Sequence, residues 1–302
     1  MAAQRKLVAD IGGHTLSLSN LDKVLYPASG FTKGEVIDYY VRIAPALLAH
    51  LGDRGITMRR YPNGVDDKSF FEKRCPSHRP DWVQTAPGPG DRGGEIGYCR
   101  LADIASLAWA ANLAALELHA PMARAADIDA PTMVVYDLDP GAPAGMAECA
   151  EVGLLLRDVL AGLRLSCYAK TSGSKGLQLY LPLNAPHTHE HASAFALAVA
   201  QALEKARPDL VVTTQAKAAR PGKVLIDWSQ NSRHKTTICV YSLRARPTPT
   251  VSTPVTWDEV TAAADGQAMS FEAMDVLTRV DEVGDLFEPT TTEVQHLPST
   301  TG

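Results

Sequence analysis

The sequence predicts an α+β fold in which mixed or antiparallel β-sheets are flanked by helices. Short apolar runs of strand character recur along the chain, and amphipathic helical patterns stand among them. The two kinds do not alternate strictly, as a doubly wound fold would require. The 302 residues are 45% apolar, enough to build a sizeable core.

Taken in order, Thr32-Lys-Gly-Glu35 reads as a capping box that opens an amphipathic helix running to Leu48. Residues 101–118 are Ala- and Leu-rich at helical spacing and predict a second helix. Residues 132–139, Thr-Met-Val-Val-Tyr-Asp-Leu-Asp, predict a strand closed by Pro140-Gly141. Residues 146–163 and 191–206 predict two further helices, and residues 176–182 an alternating strand that stops at Pro182. Residues 223–228 and 236–241 predict two strands separated by a polar stretch. The expected organisation is one unit over residues 1–288, with a disordered Thr- and Pro-rich tail over 289–302.

No window of 18 uncharged apolar residues occurs, and the first residues lack the apolar core of a signal peptide, so no membrane association is expected. Five scattered cysteines, an odd number, fit reduced thiols in a cytoplasm better than a disulfide framework. The net charge of −5 argues mildly against a nucleic-acid partner, but the charge is unevenly placed. Residues 211–246 hold seven Lys or Arg and one acid, Asp227, while residues 258–288 hold nine acids and one Arg. A basic segment around a single acid suits a phosphate-handling site; two solvated faces of opposite sign are the alternative.

Asp137 and Asp139 are the sharpest signal. On a strand, residues i and i+2 share a face roughly 7 Å apart, where two carboxylates repel unless a cation lies between them. Asp-Pro-Gly turn chemistry accounts for Asp139 but not for Asp137 inside the apolar run. Asp227, in Val-Leu-Ile-Asp-Trp, is a third acid in apolar surroundings, whose alternative is pairing with a Lys or Arg. Three such carboxylates could hold two Mg²⁺ or Mn²⁺ ions for phosphoryl chemistry. Lys170-Thr-Ser-Gly-Ser-Lys-Gly176 could bring N–H groups and a lysine onto phosphates, although it fails the Walker A spacing and reads equally as a hairpin turn. His187-Thr-His-Glu-His191 lacks the H-E-x-x-H spacing of a zinc site and is read as the opening of a helix. Cys75-Pro-Ser-His78 has no second ligand pair, and residues 87–94 read as a mobile loop.

Asp137-Leu-Asp-Pro-Gly141, Thr171-Ser-Gly-Ser-Lys-Gly-Leu177 and Ile226-Asp-Trp-Ser-Gln-Asn231 occur in this order. With them stand Leu21-Asp-Lys-Val-Leu-Tyr-Pro27, Tyr61-Pro-Asn-Gly64, Ser69-Phe-Phe-Glu-Lys73 and Tyr241-Ser-Leu-Arg244. Together they closely resemble the polymerase domain of bacterial ATP-dependent DNA ligase D, of the archaeo-eukaryotic primase superfamily, from about Leu16 to Glu288. The resemblance implies a primase-like catalytic core and a DNA-dependent nucleotidyltransferase. Such enzymes fill short gaps and extend ends in non-homologous end joining, often preferring ribonucleotides and Mn²⁺. It implies metal-binding catalytic acids at Asp137, Asp139 and Asp227. It places triphosphate and sugar contacts at His119, Ser172, Lys175, Arg220, Gln230, Lys235 and Arg244. A pocket for a downstream 5′-phosphate falls on Asn20, Lys23 and Lys33, and template stacking on Phe70 and Phe71. One of the two phenylalanines is expected in the core, and Arg92 is a candidate for DNA contact.

One departure matters: the family's usual histidine after Gly-Leu is Gln178 here, at the nucleotide site. Glutamine donates hydrogen bonds but carries no positive charge, so weakened nucleotide binding or activity is expected. The chain reads as a stand-alone polymerase of the bacterial cytoplasm, associated with the nucleoid. It would use nucleoside triphosphates on gapped or broken double-stranded DNA, with a Ku-type end-binding protein and a separate DNA ligase as partners. A catalytically weak DNA-end bridging module and a primer-independent primase are the competing readings.

Overall fold

The computed structural model describes residues 6–91 and 93–298. The chain forms two compact units. One comprises Met1–Pro121, Ile238–Ser252 and Phe271–Gly284; the other comprises Met122–Thr237, Thr253–Ser270 and Asp285–Gly302. The α+β expectation holds, with mixed and antiparallel sheets flanked by helices.

In the first unit, the expected capping box opens the helix Lys33–Leu51. Thr32 Oγ1 accepts from Glu35 N at 3.3 Å, and Glu35 Oε2 accepts from Thr32 N at 2.7 Å. These contacts satisfy two of the N–H groups that a helix start leaves unpaired. The helix buries Val36, Tyr39, Tyr40, Ile43 and Leu47. Tyr40 reaches the sheet by donating to Leu116 O at 2.7 Å. The run 101–118 is not one helix. Helix Ile104–Asn112 ends there, Ala114 takes a left-handed turn (φ 56°), and Ala115–Pro121 is a strand. A helix cannot continue through that backbone conformation, which L-residues with a side chain rarely adopt. The strand pairs antiparallel with Thr57–Arg60, which pairs in turn with Phe70–Glu72.

The five cysteines are not all thiols: Cys75 and Cys99 form a disulfide, with Cα atoms 4.8 Å apart. Their separation of 24 residues gave no signal. Strand Glu95–Cys99 and the bond from Cys75 N to Gly97 O (2.8 Å) bring them together. Cys149, Cys167 and Cys239 are buried and outside any disulfide.

The second unit is built on a six-stranded sheet. Its order is Val211–Val212, Val224–Asp227, Met133–Pro140, Leu177–Pro182, Tyr168–Thr171 and Pro254–Val255. All neighbours are antiparallel except the first pair. Val134, Tyr136, Leu138, Leu177, Leu179 and Leu181 are buried completely, which explains near-continuous apolar runs in the central strands. Helices Met146–Gly162 and His189–Ala206 pack on this sheet. Residues beyond Glu288 carry the short helix Pro289–Thr292. Gln295 then donates from Nε2 to Ser166 O (3.0 Å) and Pro182 O (3.1 Å), docking this stretch on the unit. Among the described residues no helix is long and apolar enough to cross a membrane.

Asn231 fixes the turn Trp228–Asn231 to the central strand. Its Oδ1 accepts from Val135 N, and its Nδ2 donates to Val135 O and Trp228 O, each at 2.8 Å. Asn231→Ala orphans a buried N–H and a buried C=O, so a stability loss of about 2–4 kcal/mol is expected. Urea unfolding checks it; a loss below about 0.5 kcal/mol, the size of an ordinary surface change, contradicts it.

Candidate functional site

Register assembles the acids of the second unit. Asp137 lies opposite Asp227 on one side and opposite Gln178 on the other. Asp139 lies two residues along the same strand, hence on the same face. Directly opposed side chains in an antiparallel pair have Cβ atoms about 4.5–5.5 Å apart, and like charges there repel. Burial, then the charge of Asp139, pushes the Asp137 carboxyl well above the usual carboxylate range; Asp227 adds to this, against the Gln178 hydrogen bond and the Lys170 charge.

Gln178 is buried and bridges two charges. Its Nε2 donates to Asp137 Oδ1 at 2.9 Å, and its Oε1 accepts from Lys170 Nζ at 2.5 Å. Lys170 is 1% exposed and also lies over the Tyr180 ring, 5.2 Å from its centroid. The amide therefore relays a buried ammonium to a half-buried carboxylate, each end meeting the charge it favours. Sequence reasoning missed Lys170 as a site residue. Its signal was alternation: on strand Tyr168–Thr171 it lies opposite Gln178.

Asp227 is buried and turned toward its own loop. Oδ1 accepts from Ser229 N (3.0 Å) and Ser229 Oγ (2.6 Å), and Oδ2 accepts from Gln230 Nε2 (2.7 Å). Lys235 Nζ donates to Ser229 Oγ at 2.6 Å. Gln230 and Lys235 are thus gathered around Asp227. Arg220 donates to Gln215 O and Oε1, at 2.9 and 2.8 Å, while its Nε is buried without a hydrogen-bond partner. The loop 171–176 passes over the acid strand: a Cβ on Gly176 would stand 2.1 Å from Leu138 O, so only glycine fits. Ser172 Oγ is turned into this loop and accepts from Ser174 N (3.3 Å) and Gly176 N (3.1 Å); Lys175 is exposed at its tip.

The three carboxylates offer an all-oxygen donor set, which suits a hard divalent ion, and their mutual repulsion is what such an ion relieves. Among the described residues, no three His, Cys, Asp or Glu side chains are already drawn together as a metal-holding group. Asp227 in particular would have to exchange Ser229 and Gln230 for a cation.

A second cluster lies in the first unit. Glu117, 2% exposed and unforeseen, faces two guanidinium groups, Arg59 Nη1 at 3.5 Å and Arg244 Nε at 3.2 Å, and the His119 ring Nε2 at 3.2 Å. It also accepts from Ala245 N at 3.1 Å. Burial by itself would raise this carboxyl; the His119 hydrogen bond and the Arg244 charge outweigh it and hold it at about 2. Burial lowers His119, against the Glu117 bond. Phe71 packs edge-on to His119 with centroids 5.6 Å apart. Arg59 lies over Phe71 at 5.1 Å and Arg60 over Phe70 at 5.2 Å. Neither phenylalanine is core: Phe70 is 45% and Phe71 56% exposed. Both stay exposed because they sit on a three-residue strand at the sheet edge.

Asn20, Lys23 and Lys33 are brought together. Lys23 N donates to Asn20 O (3.0 Å) and Lys33 N to Lys23 O (2.8 Å). Lys33 is buried and donates from Nζ to Ser19 O at 2.6 Å; Lys23 Nζ donates to Asn63 Oδ1 at 2.9 Å. Burial, then the charges of Lys23 and Arg60, lower Lys33 to about 8. Arg92 lies outside the described residues.

Fold and site together define a primase-polymerase type of nucleotidyltransferase domain. The family model described as "LigD, primase-polymerase domain" matches residues 32–287, and the chain belongs to that family. It is 45% identical over 274 residues to the multifunctional non-homologous end joining protein LigD of Mycolicibacterium smegmatis, covering 90% of this chain and 35% of that protein. It is 32% identical over 270 residues to the bifunctional non-homologous end joining protein LigD of Bacillus subtilis, covering 89% of this chain and 43% of that one. The chain thus spans well under half the length of these relatives. A solved structure, the polymerase domain from Mycobacterium tuberculosis Ligase D in complex with DNA, matches with a TM-score of 0.86 and 42% identity, covering 93% of this chain and 99% of that one.

The depressed Glu117 carboxyl makes a signed prediction. Its folded value, about 2 against an ordinary 4.5, adds stability that is complete above 4.5 and lost as pH falls toward 2. The contribution is on the order of 3 kcal/mol. Glu117→Gln should be destabilised at pH 7, and its difference from the parent should shrink steadily between pH 4.5 and 2 in urea titrations. A difference independent of pH would contradict the assignment.

Proposed function

We propose that the chain is a template-directed nucleotidyltransferase that fills short gaps and extends ends of broken double-stranded DNA during non-homologous end joining, with ribonucleotides favoured. The observation that carries this reading is the register that sets Asp137 against Asp227, with Asp139 on the same face. Asp137, Asp139 and Asp227 are the residues that would hold two Mn²⁺ or Mg²⁺ ions. When bound, these would acidify a primer 3′-hydroxyl and neutralise charge on the leaving pyrophosphate. Gln178 and Lys170 orient Asp137. Gln230 and Lys235, gathered around Asp227, with Ser172, Lys175 and Arg220, are nucleotide contacts of the second unit. His119 and Arg244 are nucleotide contacts of the first unit, Phe70 and Phe71 stack on template bases, and Asn20, Lys23 and Lys33 receive a 5′-phosphate. A Ku-type protein and a DNA ligase activity work with it, in the bacterial cytoplasm on the nucleoid.

A weak catalyst that chiefly bridges DNA ends is the second reading; Asp227 is engaged by Ser229 and Gln230, and Gln178 stands where the family resemblance leads one to expect a histidine. Extension of a gapped, 5′-phosphorylated duplex with Mn²⁺, with ribo- and deoxyribonucleotides in parallel, separates the two. The expected result is incorporation that Asp137→Ala reduces at least about a thousandfold, the scale of losing a group that acts only in the transition state. No incorporation under any condition supports bridging. Incorporation on single-stranded template without primer indicates a primase. Gln178→His is expected to tighten nucleotide binding; unchanged affinity and rate would remove Gln178 as the cause of weakness.

Lys33 gives a pH test of the phosphate pocket. A bound phosphate favours the ammonium and raises its pKa, so affinity falls as pH rises through about 8. A 5′-phosphorylated gap should lose affinity between pH 7 and 9 more steeply than a 5′-hydroxyl gap; parallel profiles would place the phosphate elsewhere.

A further inference from the structure

Arg244 is held by side chains to which the chemistry above gives no role. Tyr26, Tyr39 and Tyr40 of the first unit are at most 1% exposed, and their hydroxyls converge on residues 241–244. Tyr39 donates to Tyr241 O at 2.8 Å, and Tyr26 donates to Arg244 O at 3.0 Å. Tyr40 Oη accepts from Leu243 N at 3.1 Å while donating to Leu116 O.

Tyr40 and Ser242 work as one buckle. Both are buried, and their hydroxyl oxygens stand 3.3 Å apart. Ser242 Oγ accepts from Leu118 N at 2.8 Å and donates to Leu243 O at 3.1 Å. Each hydroxyl thus donates once and accepts once, within the capacity of one proton and two lone pairs. Together they satisfy Leu116 O and Leu118 N on the strand Ala115–Pro121, and Leu243 N and O on the segment that leads to Arg244. Burial pushes the Tyr40 hydroxyl above the usual phenol range, so it keeps its proton.

The far end of the segment is tied as well. Ala245 N and Arg244 Nε both donate to Glu117 Oε1, at 3.1 and 3.2 Å. Glu117 lies between Leu116 and Leu118, so one stretch of strand takes the buckle on its backbone and the arginine on its side chain. Each residue from 241 to 245 is therefore hydrogen-bonded to another part of the unit. Tyr241 is buried in the left-handed region (φ 62°), a conformation that a bulky L-residue keeps only where its surroundings impose it. Filling this space needs no hydroxyl, since phenylalanine has nearly the same volume. Buried hydroxyls aimed at one short segment fix position instead.

We propose that Tyr40 is a positioning residue for the incoming nucleotide: with Ser242 it fixes Leu243, and so holds Arg244 in place beside Glu117 before the nucleotide arrives. This rests on the reading of Arg244 as a nucleotide contact. A guanidinium already in place loses little freedom when a triphosphate binds, so the buckle acts on nucleotide affinity rather than on turnover. Lys33 begins the same helix, about 10 Å from Tyr40 along its axis, so the phosphate pocket does not depend on the buckle.

The test titrates ATP with Mn²⁺ onto the whole chain bound to a 5′-phosphorylated gapped duplex whose primer lacks a 3′-hydroxyl, so that affinity is read without turnover. Single-turnover extension of the ordinary primer at saturating ATP gives the rate. Tyr40→Phe and Ser242→Ala are each expected to raise the nucleotide Kd about tenfold, with the saturated rate and the affinity for the duplex within about twofold of the parent. Arg244→Ala should raise the same Kd, and adding Tyr40→Phe to it should raise it no further, because the tyrosine then has nothing to position. Leu51→Ala, about 16 Å farther along helix Lys33–Leu51, should lower the melting temperature and leave the nucleotide Kd unchanged. An unchanged Kd in Tyr40→Phe and Ser242→Ala, beside a raised Kd in Arg244→Ala, would overturn the positioning role and leave the nucleotide contact standing. Additive rises in the double variant, or an equal rise in Leu51→Ala, would overturn it too. A parent that binds no ATP, or an unchanged Kd in Arg244→Ala, would remove the contact and the proposal together.

Discussion

Repulsion of Asp137 by Asp139 and Asp227 is the constraint on which the second unit's chemistry depends. Antiparallel pairing of Met133–Pro140 with Val224–Asp227 places the two acids directly across from each other, and a one-residue slip would send one of them to the opposite face. Natural sheets avoid like charges in that position unless something compensates. Here the compensation is partial: Lys170 reaches Asp137 through Gln178, and Ser229 and Gln230 cover Asp227. The rest of the unit serves this register. Asn231 pins the turn after Asp227 to Val135, and Gly176 lets the neighbouring loop lie against Leu138.

The first unit solves a different problem with similar means. Glu117 is buried and is held ionised by Arg59, Arg244 and the hydrogen bond from His119. Removing any one cation leaves a buried charge under-compensated, so these side chains are positioned as a group. Arg59 also lies over Phe71, and Arg60 over Phe70, which keeps two exposed rings in place on a short edge strand. Exposed aromatics so held suit stacking on a base better than collapse onto the protein surface.

Much of this was legible in the sequence, and the failures have physical causes. The Thr32–Glu35 box, the acid strand and the helix after Met146 were set by local chemistry, and local chemistry is what a sequence displays. Glu117 was hidden because Ala115-Leu-Glu-Leu-His119 continues an Ala- and Leu-rich run; only the left-handed turn at Ala114 separates helix from strand. Lys170 was read as part of a loop, although it closes a strand; that it lies opposite Gln178 depends on pairing with a different segment. The pairing of Cys75 with Cys99 depends on contacts between distant segments. Asp137 and Asp227 stood out as acids where apolar residues belong, but their opposition across a sheet was visible only in three dimensions.

The most direct measurement is anomalous scattering from crystals of this chain grown with Mn²⁺. The account predicts strong Mn²⁺ peaks beside Asp137 and Asp139, with Asp227 turned from Ser229 and Gln230 toward the metal. Peaks absent from these acids at millimolar Mn²⁺, with Asp227 still bound to Ser229, would contradict it.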